Sequence, residues 1–271
     1  MSLLGAPFDR LMSTDVGRGF GLSRSRHIIV SIPLRDGLAM HRAAAWGVHL
    51  LTASGAVLAL LAIDAVVRGA FREALVCLLV ALAVDGIDGT LARWLRVSEI
   101  VPRIDGAALD LVVDYLTYVL VPTLILWRGN ILPNALALPL SALVLVSSLY
   151  TFVRRDMKTD DGYFRGFPAL WNIVAAYFVL TPVPAAAACG IVVALIGLTF
   201  APVYVVHPFR ASDSRLLAPL AATIWLLTTA ALALGASGAL ERTALMLSLC
   251  SLGTLTLIGL AKTVRAGRRQ N

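Results

Sequence analysis

The chain has 271 residues, of which 59% are hydrophobic and only 14% charged. Soluble domains carry about a quarter charged residues, and a transmembrane β-barrel shows short alternating segments in place of long apolar runs, so composition excludes both. The net charge of +7 is read here as membrane topology and attraction to anionic lipid, with no nucleic-acid partner expected. What remains is an all-α integral membrane protein, a polytopic bundle of about eight transmembrane helices.

In chain order, residues 1–40 are expected as a cytoplasmic extension or juxtamembrane segment ahead of a membrane-embedded domain at 41–271. Acids and arginines interrupt this lead, and HIIVSIPL (27–34) is too short for a signal peptide. RDGLAMHRAAAW (35–46) reads either as a short helix lying on the membrane or as a disordered lead. Apolar runs then predict helices at about 44–64, 70–93, 107–127, 131–153, 168–182, 184–206, 216–236 and 241–261. The fifth is short, and TPVP (181–184) makes its turn to the sixth tight. Cys77, Cys189 and Cys250 all fall in apolar runs without metal-type spacing and read as packing residues. With both termini placed inside, only Arg68, Arg72, Arg128 and Arg242 of the 23 Lys and Arg fall outside. The positive-inside rule therefore puts both termini in the cytoplasm.

One stretch departs from this apolar pattern. VDGIDGTLARWLRVSEIVPRIDGAALDLVVDY (84–115) holds six carboxylates at the expected cytoplasmic ends of helices two and three. Glu99 and Asp105 fit a solvated loop. The other four are spaced: Asp85 and Asp88 lie three apart and Asp110 and Asp114 four apart, so each pair shares one face of its helix. Antiparallel helices can bring the two faces together. Four carboxylates near lipid repel one another, and divalent cations relieve that repulsion. A donor set without histidine or cysteine suits Mg²⁺ or Mn²⁺, and four acids can hold two ions. Such ions clamp a diphosphate and stabilise a phosphoryl transition state. Gly86 and Gly89 let a ligand approach the backbone, Gly106 permits close helix contact, and Arg93 suits a phosphate. The competing reading pairs the aspartates with Arg93, Arg96 and Arg103 at a wet helix end.

The pattern Asp85-x-x-Asp88-Gly89-x-x-Ala92-Arg93 followed by Gly106-x-x-x-Asp110-x-x-x-Asp114 resembles the signature of the CDP-alcohol phosphotransferases, with every signature position present. The twelve residues between Arg93 and Gly106 form a longer gap than in most members, similar to that of bacterial phosphatidylcholine synthases. AAWGVHLLTASGA (44–56), LDLVVDYLTYVLVP (109–122), DMKTDDGYFRGFPALWN (156–172) and HPFR (207–210) look like segments of that group, in its order. The resemblance implies a membrane enzyme that attacks CDP-diacylglycerol with the hydroxyl of choline and releases CMP. It implies two Mn²⁺ or Mg²⁺ ions on Asp85, Asp88, Asp110 and Asp114, with Asp114 also the general base. Thr52, Gly89, Arg93 and Gly106 would border the donor. The family's Pro-Asn before that threonine is Val48-His49 here. A bacterial inner-membrane location, an active site on the cytoplasmic side, contact with membrane lipid and a homodimer are also implied.

Choline is a quaternary ammonium, which proteins hold with aromatic faces and a nearby acid. Tyr115, Tyr118, Tyr150, Tyr163, Phe164 and Trp171, with Asp156, Asp160 or Asp161, are the candidates near the mouth. The loop RRDMKTDDGYFRGF (154–167) reads either as a solvated loop or as a lid that brings Arg154, Arg155, Lys158 or Arg165 near phosphate. His49 and His207 read as structural residues. The alternatives are the same chemistry with serine, inositol or glycerol phosphate as acceptor, a cation transporter, and a metal-free structural protein. A transporter would need polar residues through the depth of the bundle, whereas these acids gather at one end.

Overall fold

The computed structural model describes residues 34–270, with side chains described over 39–268. What the sequence suggests for residues 1–33 lies outside the described residues. Helix α1 (Leu34–Val67) is one continuous helix. RDGLAMHRAAAW therefore runs straight into the first span and forms no separate helix. Helix formers dominate it and no proline interrupts it. Gly69, at φ +75°, turns the chain into α2 (Phe71–Trp94). Arg96 at φ 50° ends that direction, and the short α3 (Val97–Ile100) follows.

The third span begins at a side-chain cap. Asp105, expected as a solvated loop acid, is exposed and accepts hydrogen bonds from the Ala107 and Ala108 amides at 3.1 and 3.0 Å. It satisfies donors that the first turn of α4 (Gly106–Asp114) would leave unpaired. The helix then widens into a π-helical stretch over Tyr115–Leu120 before α5 (Val121–Arg128). The cause lies four residues past Tyr118. Pro122 has no N–H for the Tyr118 carbonyl, and its ring crowds that carbonyl, so the turn opens.

The remaining helices are α6 (Asn134–Val153), α7 (Trp171–Leu180), α8 (Ala185–Phe200), α9 (Leu217–Ala233) and α10 (Gly238–Gln270). Five segments are long and apolar enough to cross a membrane: Ala39–Val67, Phe71–Trp94, Gly106–Arg128, Asn134–Val153 and Gly238–Arg268. Trp171–Leu180, Ala185–Phe200 and Leu217–Ala233 are shorter apolar helices. The chain is thus an all-α multi-pass membrane protein.

Two expectations are corrected. The helix read over 184–206 stops at Phe200, because Pro202 breaks it and Tyr204–Val206 forms a strand. That strand, β2, pairs antiparallel with β1 (Tyr163–Arg165), placing Tyr163 opposite Val206 and Arg165 opposite Tyr204. The loop 154–167 therefore contains one arm of a two-stranded ribbon. Gly162 (φ +86°) and Gly166 (φ +78°) flank β1, and a Cβ on either would strike a backbone carbonyl, of Arg210 or Thr199. The final helix also runs past 261, to Gln270.

Packing near the site depends on small residues. Ala59, Ala62 and Ala65 of α1 share a buried cluster with Ala74, Leu75 and Leu78 of α2. Such residues let helix backbones approach where lipid supplies no hydrophobic drive. At Gly55 an added Cβ would lie 2.5 Å from Val113 Cγ1, so α1 and α4 meet only because that side chain is missing. α1 thus packs against both α2 and α4, which face each other across a cleft lined on the α1 side by Thr52 and Gly55.

Candidate active site

Asp85 and Asp88 project from α2, and Asp110 and Asp114 from α4. Oxygens of the Asp85, Asp88 and Asp110 carboxylates all lie within 4.8 Å of one another. Asp114 lines the same cleft, together with Thr52, Gly55 and Thr117. Asp88 is only 3% exposed. Two hydroxyls serve the α2 pair: Thr52 donates to Asp88 Oδ2 at 2.6 Å, and Tyr118 donates to Asp85 Oδ2 at 2.7 Å. Among the described residues none of the four aspartates takes part in an ion pair, so pairing with Arg93, Arg96 or Arg103 does not account for them. Converging, partly to fully buried carboxylate oxygens without an ion-pair partner among the described residues are a donor set that fits a divalent cation.

The motif glycines divide in role. A Cβ on Gly106 would come 3.2 Å from His49 Cε1, so Gly106 makes room for the α1 imidazole. His49 is buried there, and among the described residues its Nε2 has no hydrogen-bond partner. Among the described residues, a Cβ on Gly89 would meet the Arg93 guanidinium at 3.5 Å, and one on Gly86 would meet Phe209 at 3.9 Å. Arg93 is exposed and donates to Thr90 Oγ1 at 3.2 Å.

The turn after the ribbon reaches α2 beside this cleft, with Phe209 3.9 Å from where a Cβ on Gly86 would be. The His207 amide donates to the Gly162 carbonyl and the Ser212 amide to that of Asp161, which ties the HPFR turn to β1. Lys158 and Arg210 lie close enough to Asp110 to act on it electrostatically. His207 stacks on Phe164 with ring centroids 5.3 Å apart. Burial, then the charges of Arg210, Lys158 and Arg93, hold its pKa down at about 4, so the imidazole is neutral. Lys158 Nζ lies 5.6 Å from the Phe164 ring centroid, a cation on an aromatic face. In the sequence, Arg210 and Phe209 stand out only as part of the HPFR segment. No spacing rule connects position 210 to position 110.

The aromatic candidates scatter. Tyr118 is at the aspartates, with its hydroxyl committed to Asp85. Tyr115 donates to the Leu145 carbonyl at 3.1 Å and meets Phe152 edge-on. Tyr150 is 45% exposed, beside Phe200 and under the Arg154 guanidinium. Tyr163 is buried and donates to Asp213 at 2.6 Å. Trp171 is fully buried in another cluster and donates to Ser148 at 2.9 Å. Asp156 pairs with Arg154 at 2.9 Å, which lowers its pKa. Asp161 pairs with Lys262, and its pKa is lowered mainly by that bond.

No protein-family model matches the chain. Curated relatives do. The phosphatidylcholine synthase of Pseudomonas aeruginosa is 43% identical over 70% of this chain and 80% of its own length. That of Bradyrhizobium diazoefficiens is 45% identical over 68% and 69% respectively. That of Agrobacterium fabrum is 38% identical over 67% and 75%. The resemblance carried by the aspartate motif thus extends across most of the molecule, and the chain belongs to the phosphatidylcholine synthase family.

Proposed function

We propose that this protein makes phosphatidylcholine from CDP-diacylglycerol and choline, releasing CMP. The observation that carries the reading is the convergence of four aspartates from α2 and α4 on one cleft, in a chain of this family. Asp85, Asp88, Asp110 and Asp114 would hold two Mn²⁺ or Mg²⁺ ions. Bound there, such ions supply positive charge against the diphosphate oxygens as the phosphorus–oxygen bond to CMP breaks.

The chain's own residues do the rest. Lys158 and Arg210, both near Asp110, face the donor phosphates. Arg93, Thr52, Gly89 and Gly106 border the same opening. The choline hydroxyl has a pKa far above neutral, so its proton must leave as the new bond forms. Asp114 takes that proton. The freed oxygen pair bonds to the phosphorus that carries the lipid, and CMP departs with the electrons of the broken bond. Of the aromatic faces near the mouth, Phe164 already presents its π-surface to an ammonium, that of Lys158. It leads the set that still reaches the surface, with Tyr115 and Tyr150, proposed to meet the trimethylammonium, with Asp156 as an outer acid; Tyr163 and Trp171 are buried and drop out.

The positive-inside arrangement supports both termini and this mouth lying in the cytoplasm, in a bacterial inner membrane. A homodimer is part of the proposal. The test uses purified protein, CDP-diacylglycerol, labelled choline and Mn²⁺. Label should enter lipid as CMP is released, and Asp114→Asn should lower both by about 10²–10⁴-fold. Folded protein that releases CMP only with another alcohol would move the acceptor. Silence with every alcohol would overturn the reading.

A further inference from the structure

Tyr118 stands among the aromatic choline candidates, yet its placement is that of a group serving the carboxylates. It is 8% exposed, and its hydroxyl donates to Asp85 Oδ2 at 2.7 Å across the α2–α4 cleft. It sits in the π-helical stretch that begins directly after Asp114. Pro122 opens that turn, and the wider register changes the direction of every side chain within it relative to an α-helix. The same cleft contains a second hydroxyl in the same role, Thr52 on Asp88.

We propose that Tyr118 is a positioning residue for the metal-binding carboxylates, and that the π-helical turn aims its hydroxyl at Asp85. The inference rests on reading the aspartates as a divalent-cation site. By occupying Oδ2, the hydroxyl fixes the carboxylate plane and leaves Oδ1 for a cation. Outer donors of this kind orient metal ligands, and their loss typically weakens metal binding by about 10–100-fold. A neutral donor suits the task, because a lysine or arginine there would compete with the cation for the same oxygens.

A buried tyrosine also needs a partner merely to satisfy its hydroxyl, so the test must separate positioning from simple satisfaction. Mn²⁺ binding to purified Tyr118→Phe is followed by the electron paramagnetic resonance signal of free Mn²⁺, with thermal unfolding recorded alongside. The expected result is affinity about tenfold weaker, with turnover recovering at saturating Mn²⁺ and an unchanged KM for choline. The double-mutant cycle with Asp85→Asn is the second arm. Because Tyr118 acts through Asp85, removing its hydroxyl should have no further effect once that carboxylate is gone. Wild-type Mn²⁺ affinity in Tyr118→Phe, or an effect of full size in the Asp85→Asn background, would overturn the proposal. A raised KM for choline at unchanged Mn²⁺ affinity would make Tyr118 a substrate contact instead. The binding arm contains neither lipid donor nor choline, so its result stands whatever the phosphatidylcholine assay returns.

Discussion

Two regions of this membrane protein bury polar side chains, and they handle them in opposite ways. Among α7, α9 and α10 the groups are neutral and satisfy one another. Tyr177 and Ser248 share a 2.6 Å hydrogen bond, the Trp225 indole donates to Tyr177 at 3.1 Å, and Thr229 reaches Ser248 at 3.4 Å. Between α2 and α4 the groups are four carboxylates of one sign; Thr52 and Tyr118 donate to two of them, and among the described residues none of the four forms an ion pair. The first network is closed and holds helices together. The second is open, since like charges in a low dielectric gain nothing from proximity. The contrast supports the proposal that the acid cleft takes a cation the chain does not itself supply.

The sharpest way to break this comparison is to neutralise the open site. Asp114→Asn should lower phosphatidylcholine formation by about 10²–10⁴-fold, the usual worth of a general base. Asp110→Asn, assayed without divalent cations, should melt at the same temperature as wild type or higher, because one repelling charge is gone. A marked loss of stability would show that the aspartates hold the fold together. Next in size are the cations beside the cleft. Lys158→Met and Arg210→Met should each raise the KM for CDP-diacylglycerol about tenfold, roughly the loss of one charge-assisted hydrogen bond, while leaving Mn²⁺ affinity near wild type. Unchanged KM in both variants would remove the ribbon from donor binding.

The closed network predicts the reverse pattern. Tyr177→Phe removes the partner of both Trp225 and Ser248 and should cost about 0.6–1.7 kcal/mol in unfolding, with turnover unaltered. A fall in turnover at unchanged stability would erase the distinction between the regions. The smallest effect concerns His207. Its folded pKa of about 4 lies below the ordinary 6.5, so on acidification the unfolded chain takes up the proton first. The ribbon's stability is then complete above about pH 6.5 and declines toward about pH 4, by on the order of 1 kcal/mol in its upper half. His207→Phe, which keeps an aromatic face for Phe164, should flatten that slope in thermal unfolding. An identical slope in the variant would assign the pH response to other groups.

Much of this was readable from sequence because the bilayer imposes simple rules. Apolar runs give the spans, and spacings of three and four put Asp85 with Asp88 and Asp110 with Asp114. The ribbon was not readable. Tyr163–Arg165 and Tyr204–Val206 are three residues each, far apart in the chain, and the second follows an apolar run that reads as more helix. Nor does any local pattern announce a π-helical turn. Pro122 was visible, but its effect on where Tyr118 points depends on the neighbouring helix. The aromatic candidates show the same limit: composition near a mouth gave Trp171 and Tyr118 equal standing, whereas packing buries one against Ser148 and turns the other to Asp85.

The last helix gives the mouth a place in time. The Tyr204 amide donates to Thr263 Oγ1 at 2.9 Å, Lys262 pairs with Asp161, and the backbone of Tyr204 lies so close to Gly259 that no side chain fits there. These contacts clamp the ribbon with residues that a ribosome adds some fifty positions after β2 is made. During synthesis, therefore, every aspartate of the acid cleft, and Lys158 and Arg210 as well, is translated before the residues that fasten the ribbon.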